Sequence, residues 1–290
     1  MKPAAFKYFS PQTVEEALVH LAEYGDDAKI LAGGQSLVPT MNFRLAQPSV
    51  LIDLNRIEEL FYIKKNSAGL KIGAMTRQRA VERSESILKH APLIHETMPH
   101  IAHPQIRNRG TVGGSLAHAD PAAELPAVMI AVDAQFKLRR QKADRTVPAQ
   151  DFFIDLFYTA LEPDEMLAEI RVPAMPENSG WAFREVARRH GDFALVGVAA
   201  VVTLDAKSQC QQAKIVLLSV GNAPVEAAQA EQALIGQKPT PAAIRAAAEI
   251  SGEKDIDPPG DMHASVAYRR HLAKVLTEQA LKAAFEKAKE

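Results

Sequence analysis

Cysteine is the scarcest chemistry-bearing residue in this sequence: 290 residues contain one, Cys210. A lone thiol closes no internal disulfide. It holds no iron–sulfur cluster either, since such clusters take about four ligands, mostly thiolates. Any iron–sulfur chemistry belonging to this protein must sit on another chain. Long hydrophobic runs are also missing. The longest apolar stretches, Ala127–Val132 and Ala194–Val202, fall far short of the ~20 residues that span a bilayer. The opening residues Met1 to Tyr8 lack the apolar centre of a signal peptide. A reduced, soluble, cytoplasmic protein without a membrane span is the expectation. No charge of one sign dominates. Lys and Arg number 34 against 35 Asp and Glu, a net charge of −1, which argues against a nucleic-acid binder built on phosphate contacts.

What is present is ordinary for a soluble globular chain: 47% apolar and 24% charged residues. At roughly 150 residues per domain the length suggests about two domains. A chain this long can bury about 75% of its unfolded surface without staples. Thr13 and Glu16 have capping-box spacing, and Pro11 suits a first helical turn. Val14, Ala17, Leu18 and Leu21 continue that helix to a stop at Gly25. Short strands are expected at Lys29–Ala32, Val50–Leu54, Leu60–Ile63 and Leu70–Ala74. Helical segments follow at Arg77–Arg83 and Pro92–Ile101, then an Arg- and Gly-rich loop over Gln105–Ser115. Glu124–Val132 reads as an apolar helix and Gln135–Arg139 as a strand. Pro173, Pro176, Asn178 and Gly180 mark a boundary. Beyond it, Trp181–Arg188, Ala194–Leu204 and Ala213–Val220 read as an antiparallel sheet of three strands. Helices then follow at Glu226–Leu234, Pro241–Ser251 and Val266–Lys289. The fold class is α+β in three parts, residues 1–56, 57–176 and 177–290.

Two segments carry chemistry: Ala32-Gly33-Gly34-Gln35-Ser36 and Thr111-Val112-Gly113-Gly114-Ser115. Each joins two glycines to a hydroxyl residue, outside any helical pattern. Glycine permits positive φ and removes the Cβ, so backbone N–H groups can close on an oxyanion. Ser36, Thr111 and Ser115 add hydroxyl donors. One such loop alone is more often a tight turn than a site; two suggest a grip on a pyrophosphate from both sides. Neither is a Walker A loop or a G-x-G-x-x-G turn. His100, His103, His118 and Asp120 match no trusted zinc spacing, so no metal is expected.

The pair of loops resembles the flavin-binding medium subunits of the molybdenum hydroxylases, the family of carbon monoxide, nicotine and xanthine dehydrogenases. The likeness extends over nearly the whole chain. It includes Thr13–Arg44, Ile106–Ser115, Pro163-Asp164-Glu165-Met166-Leu167, Arg188–Ala194 and Ala264-Ser265-Val266-Ala267-Tyr268-Arg269-Arg270. The resemblance implies a two-part FAD-binding region of the PCMH type, a small and a larger α/β unit, followed by a C-terminal flavoprotein domain. It places Ala32, Gly33, Gly34, Gln35 and Ser36 with Thr111, Val112, Gly113, Gly114 and Ser115 on the FAD pyrophosphate. Glu124 falls where relatives carry an Asp near the ribityl or ribose hydroxyls. Leu167 matches a position packed against the cofactor, and Ile101 one near the adenine. Arg184 matches a flavin-side position that is often Lys, and Phe193 one where a relative has Tyr beside the isoalloxazine. Without the resemblance, Leu167 reads more readily as core than as cofactor wall, Phe193 as core, Glu124 as a dipole-favoured helix start, and Arg184 as the partner of a surface carboxylate. Covalent relatives use His or Cys beside the first loop; Gln35 there implies non-covalent FAD.

The implied activity is an oxidoreductase one, in a heterotrimer. Electrons come from [2Fe-2S] clusters on a small iron–sulfur subunit, fed by a molybdopterin-binding large subunit. They pass through FAD on this chain to an external electron acceptor. No catalytic acid, base or nucleophile is called for. The Arg107–Arg109 neighbourhood is a candidate contact for an acidic partner. Rival readings are a stand-alone flavin-dependent reductase or oxidase, and a flavin-free assembly subunit.

Overall fold

The computed structural model describes residues 1–289. The first unit comprises β1 (Lys7–Phe9), α1 (Val14–Tyr24), β2 (Ala28–Leu31), α2 (Leu37–Asn42) and β3 (Val50–Asp53). Its three strands are parallel, in the order β1-β3-β2. Thr13 caps α1, its hydroxyl accepting from the Glu16 N–H at 3.2 Å. Glu16 in turn accepts from the Gln12 N–H at 2.8 Å, so Pro11 lies before the helix and not in its first turn. Val14, Ala17, Leu18 and Leu21 are buried against β3, as their spacing requires.

The second unit opens with β4 (Ile63–Asn66) and β5 (Gly69–Gly73). The hairpin begins later than its sequence suggests: Leu60 closes a 3-10 turn, and strand pairing starts only at Ile63. Six short helices follow: α3 (Gln78–Glu82), α4 (Glu85–His90), α5 (Pro92–Thr97), α6 (Pro104–Arg107), α7 (Val112–His118) and α8 (Glu124–Ala131). Then come β6 (Gln135–Arg140), β7 (Ala143–Pro148), α9 (Ala149–Phe152), the small hairpin β8 (Phe153–Asp155) and β9 (Tyr158–Thr159), and β10 (Met166–Pro173). The main sheet has the order β4-β5-β10-β6-β7, with β10 antiparallel to both neighbours. Helix α8 is buried on all sides, which explains its continuous apolar sequence.

The last unit is an antiparallel sheet of β11 (Ser179–Ala187), β12 (Ala194–Leu204), β13 (Cys210–Leu218) and β14 (Val225–Glu226). It has four strands where sequence periodicity gives three, because β14 is two residues long and too short to show a pattern. Three helices complete it: α10 (Ala228–Leu234), α11 (Pro241–Glu253) and α12 (Val266–Lys287). In α12, Leu272, Leu276, Ala280 and Ala284 recur every four residues and are buried against the sheet.

The units share their cores. The central cluster joins Leu70, Ile72, Val128 and Phe136 to Phe183, Ala199 and Val216 of the C-terminal sheet. The N-terminal cluster takes in Met75, Met166 and Ala168 from the second unit. Among the described residues, no helix is long and apolar enough to cross a membrane.

Candidate functional site: a cleft between two glycine loops

The parallel sheet sets the first loop. Ala32-Gly33-Gly34-Gln35-Ser36 leaves the carboxyl end of β2, and Asp53 and Asn55 leave the same end of β3. Crevices form at that end of parallel strands. Gly34 has φ +73°, and Gly33 has no room for a side chain: a Cβ there would lie 2.5 Å from the Arg109 carbonyl oxygen and 2.8 Å from the Gly110 Cα. The two loops are thus in backbone contact. A Cβ on Gly114 would come 3.3 Å from the Ala32 Cβ, a second point of contact. Against the first loop lies a cleft of about 210 Å³, lined by Leu31, Ala32 to Gln35, Val38, Asp53, Asn55 and the exposed Arg109.

The second loop is helical, contrary to its glycine-rich sequence. Thr111 caps α7, accepting the Gly114 N–H at 3.0 Å, and Val112, Gly113, Gly114 and Ser115 form the first turn. Their amides are spent inside the protein. Val112 N–H donates to Thr76 O at 3.0 Å, Gly113 to Ala74 O at 2.8 Å and Ser115 to Thr111 O at 3.1 Å. The donors left by this loop are the hydroxyls of Thr111 and Ser115. The first loop differs: among the described residues, nothing accepts from the N–H groups of Gly33, Gly34, Gln35 or Ser36. Gln35 folds back, its Nε2 donating to Gly33 O at 3.0 Å.

Residues invisible to motif reading hold the loops together. Asn55 Nδ2 donates to Ala32 O at 2.9 Å and to Asp53. Tyr8 donates to Asp53 Oδ2 at 2.6 Å, and that bond with the carboxylate pushes the phenol up from its ordinary value. Arg77 donates to Asn55 Oδ1 and to the Arg109 carbonyl, bridging first loop to second. Burial, and then the neighbouring Arg109, pull the Arg77 guanidinium down. The one sequence signal for Asp53 and Asn55 is their place after a parallel strand; Arg77 has none.

Arg107 corrects an expectation. It is 4% exposed, so it is no contact for an acidic partner. Its Nε and Nη2 form a two-pronged pair with Glu82 at 3.1 Å each, and Nη1 donates to Ile101 O at 2.7 Å. That bond ties Ile101, itself buried, to the segment leading into the second loop. Arg109 faces the cleft instead.

Leu167 is buried on β10, on which α7 packs. Glu124 begins α8, buried, with burial pushing its carboxyl up to about 7. Arg184 is engaged by Glu96 of α5: its Nη1 donates to Glu96 Oε1 at 3.1 Å. Glu96 also accepts from the Phe183 N–H at 3.2 Å and from Lys287 at 2.7 Å, so it seals the free edge of β11 against the second unit. Phe193 is 65% exposed and stands at a second cavity of about 320 Å³. Asp120–Ala122 line one side of that cavity; Arg188, Asp192, Ser219, Asp261 and Arg269 line others. The structure therefore brings Ala32 to Gln35 and Arg109 to one cleft, sets Gly114 of the second loop against Ala32, and leaves Arg184 on β11 and Phe193 just before β12. Among the described residues, no group of three His, Cys, Asp or Glu is placed to hold a metal ion. His100 lies against Phe183, His103 against His190 and His118 against Phe157.

The geometry fits an anionic, nucleotide-like ligand: a glycine-bearing loop with four unspent N–H groups, beside a cleft that Arg109 also lines. Residues 4–175 match the family model described as the FAD binding domain in molybdopterin dehydrogenase, and residues 181–284 the CO dehydrogenase flavoprotein C-terminal domain. The chain is 43% identical to the 6-hydroxypseudooxynicotine dehydrogenase complex subunit alpha of Paenarthrobacter nicotinovorans, over all of this chain and 97% of that one. It is 39% identical to the caffeine dehydrogenase subunit beta of Pseudomonas sp. strain CBB1, over 97% and 95%. Its fold superposes with a TM-score of 0.95 on a chain of carbon monoxide dehydrogenase from Hydrogenophaga pseudoflava, at 40% identity and 99% coverage of both.

Proposed function

Since this chain belongs to the family of FAD-binding subunits of molybdenum hydroxylases, and is an oxidoreductase subunit, we propose that it is the electron-transfer flavoprotein of a three-part complex. A small partner with [2Fe-2S] clusters delivers electrons, a molybdopterin-binding large partner generates them, and an external acceptor removes them. The complex works in the cytoplasm, and the chain divides functionally at 56/57 and 176/177. The observation that carries this reading is the backbone contact between Gly33 and Arg109–Gly110, which brings the segment leading into the second glycine loop against the first, beside one cleft.

Within it, the N–H groups of Gly33 to Ser36 and the Arg109 guanidinium bind the pyrophosphate of non-covalent FAD. The Thr111 and Ser115 hydroxyls face it from Val112-Gly113-Gly114. Glu124 receives ribose or ribityl hydroxyls, while Ile101 and Leu167 supply apolar wall. Phe193 offers an aromatic face at the flavin end, and Arg184, held by Glu96, contributes fixed positive charge there. When bound, FAD supplies the ability to take electrons singly and pass them on in pairs. The protein binds, orients and tunes it; no proton-transfer group of this chain is required for that role.

The test is the visible spectrum of the purified chain, before and after acid precipitation. Flavin bands with FAD released to the supernatant are expected. Colour retained in the pellet would overturn non-covalent binding, and failure to take up added FAD would overturn the flavin reading. Turnover of a small substrate by the isolated chain would favour a stand-alone reductase or oxidase.

A further inference from the structure

The end of β12 next to Phe193 is irregular, and side chains hold the irregularity in place. Val186 of β11 faces Val196, but the following pair is Ala187 with Ala194, so Leu195 is an extra residue without a partner on β11. Such a β-bulge bends a strand and re-aims the side chains beside it. On the other side, the β12–β13 ladder stops at Gly197 and Leu218. The carbonyls of Ala194 and Leu195 lie beyond that ladder in buried residues, where an unpaired carbonyl is costly. Two side chains serve them. The Ser219 hydroxyl donates to Ala194 O at 2.7 Å. Arg269 Nη1 donates to Leu195 O and, at 2.9 Å, to Ser219 O.

Both side chains are themselves anchored. Arg269 belongs to the start of α12 and is 6% exposed; its Nη2 donates to Asp261 Oδ2 at 2.6 Å. Asp261 is fixed in turn by the N–H groups of His263 and Ala264, at 2.8 Å each. Ser219 reaches across the seam to the second unit, its N–H donating to Pro121 O at 2.9 Å. Pro121 comes three residues after α7, whose first turn is the second glycine loop. Ser219 has φ +61°, a conformation that costs a side-chain-bearing residue energy and persists where its surroundings outweigh that cost. Its N–H, hydroxyl and carbonyl are all committed, to Pro121, Ala194 and Arg269. Pro121, Ser219 and Arg269 line the cavity of about 320 Å³ together with Phe193.

We propose that Ser219 and Arg269 are positioning residues: by holding the bulge at Leu195 they fix Phe193 relative to the segment that leaves the second glycine loop, and so set the aromatic surroundings of the flavin. The proposal rests on the reading of Phe193 as a flavin-side residue. Neither side chain has to reach the cofactor, because each acts through Phe193. That ring is joined directly to Ala194 and stands two residues from Leu195, so freeing either carbonyl loosens its seat. The exposed ring has no core of its own to hold it there.

The experiment is the visible circular dichroism of FAD bound to the full chain, a signal that arises from the asymmetric surroundings of the isoalloxazine ring. Ser219→Gly removes the hydroxyl while keeping the N–H, the carbonyl and an unstrained positive φ. Arg269→Lys keeps the charge and loses the planar fork that reaches several acceptors at once. Each is expected to reduce the flavin bands while Phe193 is present. In a Phe193→Leu chain, whose own bands are already reduced, neither should reduce them further. Unchanged bands in Ser219→Gly, or equal losses with and without the Phe193 ring, overturn the proposal and leave the flavin reading intact. Bonds that merely end the sheet would lower the melting temperature and give that second result. Bands unaltered by Phe193→Leu overturn the proposal together with the flavin-side reading of Phe193. If Arg269→Lys does not fold, Ser219→Gly decides. A second measurement needs no flavin: in the apo chain, the amides of Phe193 to Val196 should exchange hydrogen faster in Ser219→Gly than in the wild type, and equal exchange overturns the proposal. A chain that takes up no FAD overturns both the proposal and the flavin reading.

Discussion

A methyl group on residue 33 would collide with the Arg109 carbonyl oxygen, 2.5 Å away, and neither side is a flexible side chain that can swing clear. Overpacking of this kind costs about 1–3 kcal/mol. Gly33→Ala is therefore expected to part the two loops and weaken FAD binding by about tenfold or more, read by titrating the apo chain with FAD. Gly34→Ala fails by another route, since its φ of +73° costs a side-chain-bearing residue about 1–2 kcal/mol. Arg107→Ala would remove the two-pronged partner of half-buried Glu82, leaving it Arg79 alone, and would open the space the guanidinium fills. A stability loss of about 1.5–3 kcal/mol is expected in urea unfolding, with Ile101 freed from its anchor. These residues were not equally legible in the sequence. Glycine pairs announce themselves because glycine is a statement about backbone. Arg77 and Asn55 look like ordinary surface residues, and their bridging role exists only once β3 and the second loop have met. Arg107 reads as a partner-facing cation because nothing in the local sequence reveals Glu82, 25 residues earlier, as its mate.

At the level of elements, β11 is an edge strand whose outer face is closed by one carboxylate. Burial pushes Glu96 up. The Lys287 hydrogen bond, the Phe183 N–H and Arg184 more than cancel that, so it ends below the usual range. Glu96→Ala is expected to cost about 2–3 kcal/mol and to speed hydrogen exchange at the Phe183 amide, which loses its acceptor. A carboxyl lowered on folding stabilises above its unfolded value and ceases to do so as pH falls, so this contribution disappears in acid. Long regular elements were legible: the four-residue recurrence in α12 and the apolar run of β12 mark their own places. The second loop was not. Two glycines argue against a helix, and the Thr111 cap with the amide bonds to Ala74 and Thr76 overrides that propensity. β4 was displaced because Leu60, apolar enough for a strand, is buried in a turn instead.

For the whole molecule, carboxyls fall into two groups. Glu82, Glu96, Glu165 and Glu169 lie below the usual range, each held there by cationic or hydroxyl partners that outweigh burial. Glu124 and Glu231 are raised by burial to about 7, and Glu185 to about 8. The first group loses its stabilising effect as pH drops below about 4, the unfolded carboxylate range. A raised carboxyl contributes fully below that range and loses its contribution as pH climbs through about 7 and about 8. Calorimetry should accordingly find the highest melting temperature on the acid side of neutral. The fused cores were not readable from pattern changes, because packing such as that of α8 on β13 joins residues far apart in the chain.

One ladder has a consequence for how the protein is made. β5 pairs with β10 nearly a hundred residues later, and Ala74, which follows β5, takes its partner from Ala168 while supporting Gly113. A ribosome lays down both glycine loops long before it reaches that strand. Pairings this distant form slowly and leave their edges open in the interval. The segment that supports the second loop therefore lacks its β10 partner on the nascent chain until Met166–Pro173 has emerged, and flavin capture belongs to the closing stage of synthesis.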